Sequence, residues 1–344
     1  MKRHINFREP IVWILATLML IGVLSFSSIS LAEKGKWTKK ADMPTARQDL
    51  RVSVVDGKIY AIGGQRRWFV DTLATVEVYD PVRDAWAKKA DMPSPRWKLS
   101  TSVVDGEIYA IGGWAGNAGG FAHRTVEAYD PATDTWTKKA DMPTARCAFT
   151  TSVVKGKIYA IGGWNRRDFS AVEEYDPITD TWTKKADMLT ATGDMDSAVV
   201  DGKIYVFGGC WGGDVFLVQV YDPATDTWDK KSDMKVEICL YSAEVVNGKV
   251  YLIGGTDEDY TLLAAVLEYD PATDTWAKKA DMLTPRAELG TGVVNGRIYA
   301  IGGWAEPAVD VGVATVEEYT PEGWPFAVSP QGKQATMWGE IKQR

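Results

Sequence analysis

The sequence is short of the residues that metal and nucleophile chemistry depends on. Its 344 residues hold two histidines, His4 and His123, and three cysteines, Cys147, Cys210 and Cys239. So few histidines exclude a multi-histidine metal site, and a Ser-His-Asp arrangement would rest on one loop histidine. There is no C-x-x-C pair and no phosphate-cradling G-x-x-x-x-G-K. Three cysteines are too few for a disulfide framework and leave at least one unpaired; Cys210 and Cys239 stand in neighbouring repeat units, but the fold does not require a bridge between them. A basic surplus is also lacking. Formal net charge is −7, and −9 without residues 1–32, which hold three basic residues and one acidic. Net charge therefore gives no pull toward nucleic acid or anionic membrane. The recurring D-P-A-T-D-T segments lack the glycine and terminal glutamate of an EF-hand, so no metal and no cofactor are expected.

Long apolar runs are missing too, except at residues 11–24. That run follows Lys2, Arg3 and Arg8 and precedes Ser30-Leu31-Ala32, the layout of a signal peptide cleaved after Ala32. It is short for a membrane span of about 20 residues, although retention as an anchor is the alternative. The expectation is a secreted or periplasmic monomer, with no membrane insertion after cleavage and no nucleic-acid partner.

What is present is a repeat. Trp37, Trp86, Trp136, Trp182, Trp228 and Trp276 are each followed 26 residues later by Gly-Gly. The first five pairs lead to Tyr-Asp-Pro at Tyr79, Tyr129, Tyr175, Tyr221 and Tyr269, each seven residues before the next tryptophan. Only the step from Gly-Gly to tyrosine varies, from 13 to 17 residues. Within a unit, residues 54–64 read as two β-branched runs joined by Asp-Gly, a hairpin signal. An alternating third run ends in D-P-x-x-D, and W-x-K-K-A-D-M-P forms a fourth. Four antiparallel strands, six times over, predict an all-β, six-bladed β-propeller. The Lys-Lys pairs fall on the fourth strand, an open edge where charge discourages edge-to-edge pairing.

These residues carry a resemblance. The hydrophobic run with Gly-Gly, then Tyr-Asp-Pro, then Trp seven residues on, resembles the kelch repeat from Trp37 to Tyr319. Kelch domains are propellers, which matches the strand count. The chain starts with a fourth-strand sequence and its repeat ends with a third-strand sequence, so the N-terminal strand is expected to complete the last blade. The domain reading is 1–32 signal peptide, 33–324 propeller and 325–344 C-terminal tail.

All length variation falls on one face, in the loops between second and third strands, and binding specificity usually sits on such loops. Those loops carry Arg66, Trp68, Trp114, Trp164, Arg167, Trp211, Tyr260 and Trp304. The lead-ins to the inner strands place Arg47, Arg96, Arg146 and Arg286 at one register, with Thr192 and Ile238 in units four and five and with Asp194 and Glu288 close by. Tryptophan faces suit sugars, and arginines suit carboxylates. Both residue types also have a scaffold use, in packing between blades and bonding carbonyls. The expectation is a non-catalytic binding module for a protein segment or glycan on this face, using these fourteen residues as candidate contacts. The alternative, implied by the resemblance to periplasmic kelch propellers of the sialic-acid mutarotase type, is a mutarotase or epimerase for an acidic sugar. There the arginines would bind the carboxylate, and Glu288, Asp194 or His123 would move protons. Galactose oxidase, another kelch-type enzyme, needs two copper-binding histidines, which this chain does not have.

Overall fold

In the computed structural model, residues 35–325 are described apart from 69, 117–119, 211–215, 235 and 307–310. The expected signal segment at 1–32 and residues 326–344 of the tail lie outside them. Among the described residues all regular structure is β-strand, and no helix is long and apolar enough to cross a membrane.

Six four-stranded antiparallel sheets form blades one to six in chain order. Blade one runs outward through Arg51–Val55, Lys58–Ile62, Val76–Asp80 and Ala85–Lys88. Blades two to five repeat that order from inner strands Ser100–Val104, Thr150–Val154, Asp196–Val200 and Ser242–Val246. Blade six takes three strands from the end of the repeat, Gly290–Val294, Arg297–Ile301 and Val316–Thr320. Its outer strand is Lys36–Lys39, with Trp37 opposite Tyr319. Neighbouring inner strands touch around a full circle, which closes the propeller.

The repeated residues account for this shape. Asp56 and Gly57 have φ of 49° and 69°, the mirror-image turn that suits a two-residue hairpin. Gly63 has φ of 63°, and a Cβ there would lie 2.6 Å from the carbonyl oxygen of Arg96 in the next blade. Both positive φ and close approach demand glycine at that point.

The core lies between blades. Val55, Tyr60, Ile62, Val76 and Val78 of blade one meet Met92, Leu99, Ile108, Ala110 and Tyr129 on the blade-two side. Burying one such large side chain contributes about 2 to 3 kcal/mol before entropy. Polar ties then fix the rotation of each blade. Tyr129 donates its hydroxyl to Asp134 Oδ1 at 2.5 Å, and the same oxygen accepts the Ala90 amide at 2.9 Å. Trp136 Nε1 donates to the Ala90 carbonyl at 3.0 Å, so both polar groups of Ala90 are held by the next blade. Ala41, Ala140 and Ala186 are held in the same way. The first lysine of each outer-strand pair is exposed and bridges an aspartate three residues on, as Lys88 does to Asp91 at 3.1 Å.

Candidate functional site at the channel mouth

The four register arginines do not form the funnel that the sequence suggested. Arg47, Arg96, Arg146 and Arg286 are 0% exposed and lie inside the blades. Each guanidinium meets a glutamate of its own blade's third strand: Glu77 at 2.6 Å, Glu127 at 2.5 Å, Glu173 at 2.8 Å and Glu317 at 3.5 Å. Each also donates to backbone carbonyls, as Arg146 does to Ala160 and Ala171. Burial pulls these guanidiniums below the usual arginine range, to about 10 for Arg146, while the glutamates oppose the shift. With their donors turned inward the four arginines hold loop to blade, and they are not placed to touch a ligand.

Two residues beyond each arginine position the chain reaches the channel. Asp49, Lys98, Ala148, Asp194, Leu240 and Glu288 occupy this register, all with φ between 46° and 55°. None is glycine, so each holds a costly left-handed conformation of the kind that concentrates at functional sites. The amides of Asp49, Lys98, Ala148, Asp194 and Glu288 donate to the carbonyl of the equivalent residue in the preceding blade, at 2.8 to 3.2 Å. These five links make a ring around the channel that is open at one place, between Asp194 and Leu240. Lys98 Nζ lies 2.7 Å from Asp194 Oδ1 and 3.9 Å from Glu288 Oε1. Gln65 Nε2 donates to Asp49 Oδ2 at 2.6 Å, and Trp68 Nε1 donates to Glu288 Oε2 at 3.2 Å. Burial raises the Asp49 carboxyl to about 6 and lifts Glu288 well above the carboxylate range. Nearby carboxylates outweigh burial for Lys98 and hold it firmly charged. Next to the ring is a cavity of about 40 Å³, also lined by Arg51, Met195 and Tyr241, with room for a few waters and none for a sugar ring.

Further along, Arg51 Nη1 faces Asp196 Oδ2 at 3.8 Å. Beyond that the channel widens to about 270 Å³, lined by Ser53, Thr101, Ser102 and Thr291, with Glu244 as its carboxyl group. Burial raises Glu244 to about 7.

The aromatic residues form the rim. Trp68 is 38% exposed and lies tilted on Trp304, with ring centroids 6.4 Å apart. Trp114 meets Trp164 at 5.6 Å across blades two and three, both half-buried. Tyr260 is exposed on blade five. Arg66 and Arg167 are exposed, with Arg167 over Phe169. Trp211 lies outside the described residues. The loops brace one another: Gly312 donates its amide to Arg66, and Thr72 donates its hydroxyl to Gly116. His123 is half-buried and stacks on Phe121; burial lowers its pKa, and its charged neighbours are Arg96, Glu127 and Asp141. It takes no part in the ring. Cys147, Cys210 and Cys239 are free thiols.

Known families agree with this architecture. The KLHDC2/KLHL20/DRC7 Kelch-repeats domain matches residues 28–195. The Kelch motif matches residues 192–235, 238–283 and 285–324. The chain belongs to the kelch-repeat family. No curated protein matches it significantly. A solved structure described as "Structure of YjhT" superposes with a TM-score of 0.70 at 17% identity, covering 80% of this chain and 95% of that one. At that identity the likeness is one of fold.

Two features of this kelch propeller were legible in the repeats and were missed. Arginine and glutamate change together: where Thr192 replaces arginine, Gln219 replaces glutamate, and where Ile238 replaces it, Leu267 does. That covariation marks a buried pair. The ring register changes chemistry in almost every unit while the position after it stays large and apolar, as Leu50, Leu99, Phe149, Met195, Tyr241 and Leu289. That irregularity would have added Asp49 and Lys98 to Asp194 and Glu288.

Proposed function

We propose that this kelch propeller is a non-catalytic binding module whose ligand, a protein segment or a glycan, lies across the tryptophan rim of the variable-loop face. The observation that carries this reading is Trp68. A large indole is held exposed, supported underneath by Trp304 and fixed by a hydrogen bond to buried Glu288. Stacking on an ordered aromatic face suits both sugars and peptide side chains, and aromatic anchors contribute most of the affinity of such interfaces. Replacing Trp68 and Trp304 by alanine should weaken capture on a glycan and peptide array by about tenfold or more, in a variant shown by circular dichroism to remain folded. Undiminished capture by that variant would refute the reading.

A second reading, mutarotation of an acidic sugar, draws on Asp49, raised by burial to about 6, as a proton-transfer group, with Glu288, also raised by burial, beside it. Against it, the arginines expected to bind the substrate carboxylate are spent inside the blades. The small cavity also keeps a sugar ring away from the carboxyls. Anomeric exchange of an acidic sugar, followed by NMR, should run no faster than in buffer. Acceleration that Glu288→Gln abolishes would replace the binding reading by this one.

A further inference from the structure

We infer that the channel mouth takes a primary ammonium group, seated against Asp49 and Glu288, as the charged anchor of the ligand held by the tryptophan rim. This rests on the binding reading and assigns that ligand a charge opposite to the one the arginines suggested.

Carboxyl groups outnumber cations at this end of the channel. Four carboxyl groups and two cations face this part of the channel: Asp49 and Arg51 from blade one, Lys98 from blade two, Asp194 and Asp196 from blade four, and Glu288 from blade six. Each cation has a carboxylate partner, Lys98 with Asp194 at 2.7 Å and Arg51 with Asp196 at 3.8 Å. Lys98 is shared with Glu288 at 3.9 Å, and Asp49 has no ion pair among the described residues, so the cluster holds two more carboxyl groups than cations. Asp49 and Glu288 lie within hydrogen-bonding reach of each other, an arrangement two carboxylates tolerate only with a shared proton or a cation between them.

A second observation points the same way. The Glu288 side chain is 1% exposed, yet its Oε1 receives no hydrogen bond; the Lys98 ammonium stands off at 3.9 Å. A buried acceptor without a donor is costly, and a group bringing its own donors removes that cost. The surroundings select among cations. No cluster of three or more His, Cys, Asp or Glu with metal-holding geometry exists among the described residues. An ammonium with three donors fits two carboxyls better than a bare metal ion does. The cavity of about 40 Å³ admits a small charged head group. Trp68, bonded to Glu288 and lying on Trp304, offers aromatic faces to the alkyl stem and to the cation.

The test uses Nα-acetyl-lysine methylamide as probe, with the norleucine analogue as its uncharged counterpart. Binding is read by tryptophan fluorescence and calorimetry on the intact chain. The lysine probe should give a saturable response and the norleucine probe none. Glu288→Gln and Asp49→Asn, each shown to be folded by circular dichroism, should each weaken the lysine probe by about tenfold. An equal response to both probes, or none to either, overturns the inference without needing any variant. Affinity unchanged in both folded variants also overturns it. Array capture that survives while the lysine probe fails sinks the ammonium anchor and leaves the rim reading standing; loss of both sinks the two together.

Discussion

Arg146→Ile should be among the most damaging single changes in this protein, and adding Glu173→Leu should repair most of the damage. Arg146 is 0% exposed and donates to Ala160 O at 3.1 Å, Ala171 O at 3.0 Å and Glu173 Oε2 at 2.8 Å. Removing the guanidinium leaves Glu173 as a buried charge with no cation. Breaking a buried pair from one side costs about 3 to 5 kcal/mol. Blade five shows what the double change looks like, because Ile238 and Leu267 stand at the same two positions inside one apolar cluster. Replacing a whole buried pair by apolar residues of similar volume is close to neutral elsewhere. The ladder amide of Gly162 still occupies the Ala171 carbonyl in the variant. The double variant should therefore lie within about 1 to 2 kcal/mol of the parent, so that Glu173→Leu recovers about 1 to 4 kcal/mol of the loss caused by Arg146→Ile. Guanidinium unfolding with linear extrapolation measures both quantities, provided the slope stays constant across the set. A single variant less than about 1 kcal/mol below the parent, or a double variant no better than the single, would refute the reasoning.

Three further outcomes are expected. Asp49 titrates near 6 and Glu244 near 7 in the folded chain, both above their unfolded values. The native state thus binds more protons between about pH 4 and 7, and the stability these groups contribute is present below pH 4 and lost as pH rises through 6 to 7. Asp49→Asn with Glu244→Gln should flatten that decline, by about 3 kcal/mol per site, in unfolding curves taken from pH 4 to 8; an unaltered slope counts against the burial argument. Asp134→Ala strands the buried Tyr129 hydroxyl and the Ala90 amide, and should cost about 1 to 3 kcal/mol by the same unfolding assay, whereas Asp229→Ala, at an exposed position of an outer strand, should cost little. Deleting residues 33–40 removes the Lys36–Lys39 strand and bares the edge of Val316–Thr320. The truncated chain should aggregate and should be cut by protease within blade six; a soluble, resistant product would show that closure does not depend on this strand.

The fold was readable because its evidence recurs six times. A turn such as Asp56-Gly57, the glycine at Gly63 and the inter-blade tyrosine Tyr129 each have a local physical cause, and repetition makes the cause visible. The same repetition hid the site. Arg47, Arg96, Arg146 and Arg286 were conspicuous because they recur, and recurrence is what a scaffold residue shows. Their burial depends on how the lead-in folds under the loop, a tertiary fact that no single unit contains. Asp49 and Lys98 were overlooked for the opposite reason: no residue type recurs through their register, which reads Asp, Lys, Ala, Asp, Leu and Glu from blade one to blade six. Trp68 was identified as a candidate contact, but its bond to Glu288 joins residues 220 positions apart and became visible only when blade six closed on blade one.

The backbone ring also bears on how such a protein can change its specificity. Its links run through main-chain amides and carbonyls, so they are indifferent to the side chain attached at each position. The residues now present, two aspartates, a glutamate, a lysine, an alanine and a leucine, share one backbone conformation although they span acid, base and apolar side chains. A single codon change there can rewrite the charge of the channel without moving a blade. The ring is in effect a six-place keyboard, on which natural drift or a protein engineer can set a new combination while the frame stays in tune.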